Sequence, residues 1–220
     1  ALEKKIAILE NGFGGIATAS GMRAASDISF YFLDKGSHVV ATASIYGTSR
    51  RIIEDGSYYG KWGTIGTFVD TSNPENVRKA ILPNTKLIFI ETPANPTLSI
   101  TNIKEIAEIA KERNIPLVVD NTFCSPYLQN PLDLGADVVI HSLTKSISGH
   151  ANVVGGIIIP KDEEIYYGLR NVVMNMGGIL PPHSAELIFT GVKTLGLRME
   201  KMQRNAQKIA NYLQKHPKVE

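Results

Sequence analysis

Short apolar runs recur along the chain between amphipathic stretches, and several of them carry no polar alternation. Residues 38–43, 64–69, 86–90, 116–119, 137–140 and 153–159 are the strand candidates, rich in Val and Ile. A strand that is apolar on both sides needs cover on both faces, which is the condition of a parallel sheet between helices. The segments between them carry the helical period. In residues 22–33, Met22, Ala25, Ser29 and Phe32 share one face, and Gly36 supplies a stop. Asn73 before Pro74 reads as an N-cap followed by proline at the first helical position. Residues 102–112 place Ile103, Ile106, Ala107 and Ala110 on one side, with Glu105 in the first turn. The repeated strand–helix order predicts an α/β fold with a mostly parallel sheet flanked by helices. Beyond Pro160 the pattern gives two long helical stretches, residues 161–174 and 184–214, and no further strand.

Composition excludes classes of function. Lys and Arg number 23 against 21 Asp and Glu, a formal net charge of +2. That is no basic footprint, so neither a nucleic-acid nor a membrane partner is expected. Residues 193–220 hold seven Lys or Arg against two Glu, which reads as a solvated helix face. No apolar run reaches the roughly 20 residues of a membrane span, and the N-terminus lacks the order of a secretory signal. The single cysteine, Cys124, rules out an intrachain disulfide and a thiolate zinc cluster, and no metal is expected. Sparse cysteine is what a reducing, cytoplasmic compartment favours. The chain opens on Ala1 inside a helix-like run, so it is expected to begin partway through a longer protein.

In an open α/β sheet, ligands gather beyond the carboxyl ends of the strands. Ser20-Gly21-Met22 stands directly before a helix, where open N–H groups and a glycine suit a phosphate. Read alone, it is better taken as a capping serine with a turn glycine. Asp120 ends an apolar run, and is either an N-cap or a carboxylate that keeps a heteroaromatic nitrogen protonated. Ser142, Thr144 and Lys145 follow the next run, as a polar loop or as a phosphate-binding hydroxyl pair with an imine-forming lysine. A phosphate clamp, a ring-nitrogen acid and such a lysine are together the three needs of pyridoxal 5'-phosphate. A competing signal is Gly12, Gly14 and Ala17, a G-x-G-x-x-A with Asp34 near the ribose-binding distance. Residues 2–10 before it read as an amphipathic helix rather than a strand, so these are loop glycines and no dinucleotide site is expected.

The segments Val118-Val119-Asp120-Asn121-Thr122-Phe123, Pro131-Leu132-Asp133-Leu134-Gly135-Ala136-Asp137 and His141-Ser142-Leu143-Thr144-Lys145 resemble the Cys/Met-metabolism (trans-sulfuration) pyridoxal-phosphate enzymes. That family includes the cystathionine γ-lyase, methionine γ-lyase and cystathionine γ-synthase group. Further similar segments are Ser20-Gly21-Met22, Tyr46-Gly47, Glu91-Thr92-Pro93-Ala94-Asn95-Pro96-Thr97, Ser148-Gly149-His150 and Lys193-Thr194-Leu195. They run collinearly through nearly the whole chain.

The resemblance implies roles residue by residue. Lys145 is similar to the family lysine that forms the Schiff base and then moves protons on the substrate. Asp120 matches the acid facing the pyridine nitrogen. Gly21 and Met22 match the backbone phosphate donors, and Ser142 and Thr144 the phosphate hydroxyls. Tyr46 matches the tyrosine that stacks on the ring and joins in proton transfer, and Asn95 the residue near the ring oxygen. The implied reaction is elimination at the γ-carbon of a sulfur amino acid, cystathionine or methionine-like, giving a 2-oxo acid, ammonia and a thiol. The alternatives are γ-replacement on an O-acylhomoserine and a non-catalytic cofactor-binding fragment. The resemblance further implies a homotetramer whose cofactor-binding large domain spans residues 1–220. Residues 193–220 would then be a helix leading toward a C-terminal domain absent from this chain, where the substrate-carboxylate arginine would lie. Two departures bear on substrate and pocket. Thr48 stands where methionine γ-lyases often carry cysteine, and Ser146 where an aromatic often follows the lysine.

Overall fold

The structure is a computed structural model that describes residues 1–54 and 63–219. The expected domain extent includes residues 55–62 and 220, which lie outside the described residues. In chain order, α1 (Leu2–Leu9) leads through a glycine-rich loop into β1 (Ile16–Thr18) and α2 (Gly21–Phe32). Next come β2 (His38–Thr42), α3 (Gly47–Ile53), β3 (Ile65–Val69), α4 (Pro74–Ala80), β4 (Thr85–Glu91) and α5 (Ile103–Glu112). Then follow β5 (Leu117–Asp120), the short α6 (Ser125–Leu128), β6 (Val138–Ser142) and β7 (Gly156–Pro160). The chain closes with α7 (Glu163–Met176), α8 (Pro182–Val192) and α9 (Leu195–Leu213).

The strands form one sheet in the order β1-β7-β6-β5-β4-β2-β3. The run from β3 to β6 is parallel, and β7 lies antiparallel between β6 and β1. Side chains alternate across this sheet. Val118, Ile140 and Ile158 point to the side covered by Ala24, Ala25 and Ile28 of α2 and by Leu169 and Val173 of α7. Leu117 and Val119 point the other way, against Ile103, Ile106 and Ile109 of α5. On that same side Ile157 and Ile159 meet Leu2 and Ile6 of α1 and Ile188 of α8. Each fully buried Ile, Leu or Val removes apolar surface worth roughly 1.5–3 kcal/mol. The central strands are therefore held firmly, and the groups at their carboxyl ends inherit that placement.

All six strand candidates are strands, and the mostly parallel α/β reading holds. Asn73 caps α4 through its side chain, which accepts from the Glu75 N–H at 3.1 Å, with Pro74 opening the helix. Gly12 and Gly14 follow α1, a helix, and not a strand, so the dinucleotide fingerprint has no strand to follow. Two features differ from expectation. The strand β1 is only three residues long, too short to show a period, and is held by its antiparallel register on β7. The single helix expected over 184–214 is two helices broken at Lys193 and Thr194. Tertiary contacts cause the break. At Gly191 a Cβ would lie 2.1 Å from the Ser148 carbonyl oxygen, so the end of α8 is pressed against the 145–149 turn. Arg198, one turn into α9, donates to the carbonyls of Ser146, Ile147 and Gly191 and bolts the three segments together.

From Glu200 to Lys215 every residue of α9 and the turn after it is exposed, in keeping with the solvated face expected of this basic stretch. The helix ends at Leu213, short of the expected 220. No helix among the described residues is long and apolar enough to cross a membrane.

Candidate active site

Two carboxylates end adjacent parallel strands. Glu91 closes β4 and Asp120 closes β5, and the sheet register sets them directly side by side, on the same face as Phe89 and Val118. Asp120 is steadied from its own loop. Its Oδ1 accepts from the Thr122 N–H at 3.0 Å and from the Thr122 hydroxyl at 2.6 Å, while Oδ2 has no protein partner among the described residues. The Thr122 hydroxyl also accepts from the Ser142 N–H at 2.8 Å, which ties the end of β5 to the end of β6. Burial pushes the Asp120 carboxyl above its ordinary range, against the Thr122 hydrogen bonds and the charge of His141, which pull it down. His141 lies on the opposite face of the sheet, fully buried, with Nε2 2.6 Å from Glu10 Oε1. Glu10 also accepts from Asn121 at 2.8 Å, so α1 is anchored under the same strand ends.

The first turn of α2 lies over the end of β6. Ser20 is the N-cap, and its hydroxyl accepts from the Arg23 N–H at 3.0 Å. The N–H groups of Gly21 and Met22 have no partner among the described residues, as expected at the first positions of a helix. Gly21 has to be glycine for space, since a Cβ there would lie 2.9 Å from the Ser142 Cβ. Gly156 of β7 supports the same approach, because a Cβ at that position would lie 2.2 Å from the Ser20 carbonyl oxygen. Two free backbone donors and the Ser142 hydroxyl thus meet at a helix N-terminus, which is the composition of an anion site. The Thr144 hydroxyl is engaged with Gly155, donating to its carbonyl at 3.3 Å and accepting its N–H at 3.2 Å, both long contacts.

Lys145 stands in the turn after β6. Its backbone is fixed by bonds from its N–H to the Ser142 carbonyl and from the Gly149 N–H to its own carbonyl. The side chain is exposed and has no hydrogen-bond or ion-pair partner among the described residues. An unpaired amine in a turn bolted at 146 and 147 by Arg198 is free to meet a carbonyl carbon.

These groups open onto one cavity of about 490 Å³. All eight residues singled out from the sequence line it: Gly21, Met22, Tyr46, Asn95, Asp120, Ser142, Thr144 and Lys145. Glu91, Thr122, Phe123, Val154 and Met202 line it too, and the sequence reading had not singled them out as site residues. The position of Glu91 at the end of an apolar run, like that of Asp120, is the signal that could have found it. Phe123, Val154 and Met202 are more than two-fifths exposed and make the cavity mouth apolar. Cys124 does not line the cavity; it is a half-buried free thiol, pushed up by burial and by the Glu10 charge, the setting of an unreactive structural cysteine. Among the described residues no group of His, Cys, Asp and Glu is placed to hold a metal ion.

The family model described as Cys/Met metabolism PLP-dependent enzyme matches residues 1–220. The chain is similar to cystathionine gamma-lyase of Bacillus subtilis, with 47% identity over all of this chain and 57% of that protein. It is similar to L-methionine gamma-lyase of Treponema denticola, with 43% identity over all of this chain and 55% of that protein. Among solved structures, that of metB from Corynebacterium glutamicum superposes with a TM-score of 0.97 at 44% identity, covering all of this chain and 56% of that one. The chain therefore spans a little over half the length of the curated relatives it matches.

Proposed function

The chain belongs to the Cys/Met-metabolism PLP-dependent enzymes, and from that membership we propose that it works in elimination at the γ-carbon of a sulfur amino acid, cystathionine or a methionine-like compound. One water is consumed, and the products are a thiol, ammonia and a 2-oxo acid. One observation carries the reading: a strand-end acid, an unpaired lysine and the open N-terminus of α2 converge on one cavity. That donor set suits pyridoxal 5'-phosphate. The unpartnered N–H groups of Gly21 and Met22, brought beside the Ser142 hydroxyl by the close approach that Gly21 permits, suit a phosphate, and the free Oδ2 of Asp120 suits a protonated ring nitrogen. When bound, the cofactor supplies an electrophilic carbonyl carbon and an electron-withdrawing ring beside the carbon that loses its proton.

The chain's own residues do the rest. The N–H groups of Gly21 and Met22 and the Ser142 hydroxyl bind the phosphate, joined by the Thr144 hydroxyl when it exchanges its long bond to Gly155 for a charged acceptor. Asp120 holds the ring nitrogen in its protonated form, since a neighbouring anion favours the cation. Lys145 Nζ takes the proton from the substrate Cα and, once it has passed that proton to the carbon that the bound cofactor's carbonyl would supply, is neutral again and takes one from Cβ, the second loss allowing the γ-sulfur to leave. Tyr46 forms a wall of the cavity, from which its ring can stack on the cofactor and its hydroxyl can protonate the departing sulfur. Asn95 also lines the cavity and would lie near the ring oxygen of a bound cofactor, and Phe123, Val154 and Met202 offer an apolar mouth to the thioether chain. The same reading gives a cytoplasmic enzyme assembled as a homotetramer.

Release of a 2-oxo acid from cystathionine or methionine, followed without and with an added thiol, tests the reaction class. Product without acceptor is expected. Turnover only on an O-acylhomoserine with a thiol present would give γ-replacement instead. No turnover beside normal cofactor binding would leave a cofactor-binding chain that does not catalyse alone.

A further inference from the structure

We propose that Glu91 is a positioning residue, whose ionised carboxylate clamps the loops bearing Tyr46 and Asn95 onto the cavity. The clamp itself is a property of the chain; its use in catalysis rests on the function proposed above. Glu91 is only 5% exposed, and its N–H donates to the Thr42 hydroxyl at 3.3 Å, so its backbone is tied to β2. Its Oε2 accepts from the Tyr46 N–H at 2.7 Å and its Oε1 from the Asn95 N–H at 2.9 Å. One carboxylate therefore holds two loops that arrive from different strands, β2 and β4.

Among the described residues the Tyr46 and Asn95 N–H groups have no acceptor but Glu91; close by, the loops are also held by the Ser44 and Ser99 hydroxyls, 3.0 Å apart, and by the burial of Ile45 and Ala94. Tyr46 is 45% exposed and is the N-cap of α3 without a capping side-chain bond. Both Glu91 bonds are to backbone N–H groups, and the side chains of Tyr46 and Asn95 make no hydrogen bond among the described residues. Hydrogen bonds to an ionised acceptor are roughly twice as strong as neutral ones. A protonated or amidated Glu91 would present a donor to one of the two N–H groups and would lose that loop.

Charge in the cavity sets when the clamp is closed. The groups that face Glu91 are Asp120 beside it on β5, Tyr46 and Lys145 across the cavity, and His141 behind β6 through its effect on Asp120. Burial first and the Asp120 charge second push the Glu91 carboxyl from 4.5 up to about 7, against the two N–H bonds. The clamp is thus tight above that pH and loosens below it. A cation held by Asp120, such as a protonated ring nitrogen, offsets the repulsion and keeps the clamp closed to lower pH.

Amide hydrogen exchange at Tyr46 and Asn95 in the 220-residue chain, corrected for intrinsic rates, reads the clamp directly. Protection at both amides is expected to fall as pH drops from 8 to 6, and pyridoxal 5'-phosphate is expected to move that fall to lower pH. Glu91→Gln is expected to lose protection at one amide or both at pH 8, with cofactor affinity lower by about tenfold, the loss of about one charged hydrogen bond. The stability of the cofactor-free chain should move the other way. The folded pKa is raised, so the folded state binds more protons than the unfolded between 4.5 and about 7, and stability falls as pH rises through that window. Glu91→Gln removes this slope and should melt no lower than wild type at pH 8, which a merely structural residue would not do. Glu91→Asp, one methylene shorter, should keep one protected amide of the two and serves if the glutamine variant fails to fold. Wild-type protection at both amides in Glu91→Gln, or in Glu91→Asp where that variant is the one measured, would overturn the proposal. Absence of cofactor binding by wild type would instead sink the proposed function, and the exchange result would still decide the clamp.

Discussion

Lys145→Ala should abolish elimination, with turnover lower by about a thousandfold or more. The lysine is asked to do two things, to meet the cofactor's carbonyl and to move protons at two substrate carbons. Proton transfer by a placed base alone contributes about 10²–10⁴, and among the described residues no other amine lines the cavity. The substitution should leave the fold alone. The side chain is exposed and unpaired, its backbone bonds survive in alanine, and the turn stays held by Arg198 through the carbonyls of Ser146 and Ile147. Surface changes of this kind usually alter stability by no more than about 0.5 kcal/mol. Steady-state turnover with a thermal melt therefore separates loss of chemistry from loss of structure. Retained turnover at an unchanged melting temperature would remove Lys145 from the reaction.

Asp120→Asn should lower turnover by about 10²–10³ while leaving the cofactor-free chain as stable as wild type or more so. The amide oxygen can keep both bonds from Thr122, so the end of β5 stays in place and what is removed is the charge. Burial already raises this carboxyl, so in the empty site its ionised form costs stability at neutral pH, and a neutral isostere relieves that cost. It also relieves Glu91, whose neighbouring charge disappears. Weaker catalysis from a protein that melts no lower is the signature of a charge kept for chemistry. The kcat values and melting temperatures of the variant and wild type at pH 8 measure it. A variant with unimpaired kcat would mean that Asp120 does not hold the ring nitrogen.

The sheet is legible in the sequence because its central strands are apolar on both sides, and that pattern has few other uses. Asp120 and Lys145 are legible for the same reason, since each is a polar residue standing just past such a run. Glu91 meets the same description and is harder to read, because its importance comes from its register with Asp120 and from two backbone N–H groups, and neither carries a residue identity. Thr122 likewise acts through the Ser142 backbone, 20 residues away. The break between α8 and α9 leaves no trace in the helical period. It arises where Gly191 meets the Ser148 carbonyl and Arg198 reaches across three segments, contacts made only in the folded chain. Gly156 reads as an ordinary strand glycine until the Ser20 carbonyl is seen lying on it.

The most direct test of the central claim is to incubate the chain with pyridoxal 5'-phosphate, reduce it with borohydride and map the adduct by mass spectrometry. One pyridoxyl group per chain is expected, on the peptide containing Lys145 and absent from Lys145→Ala. An adduct spread over surface lysines, or one that persists at the same level in Lys145→Ala, would contradict the placement of the active site.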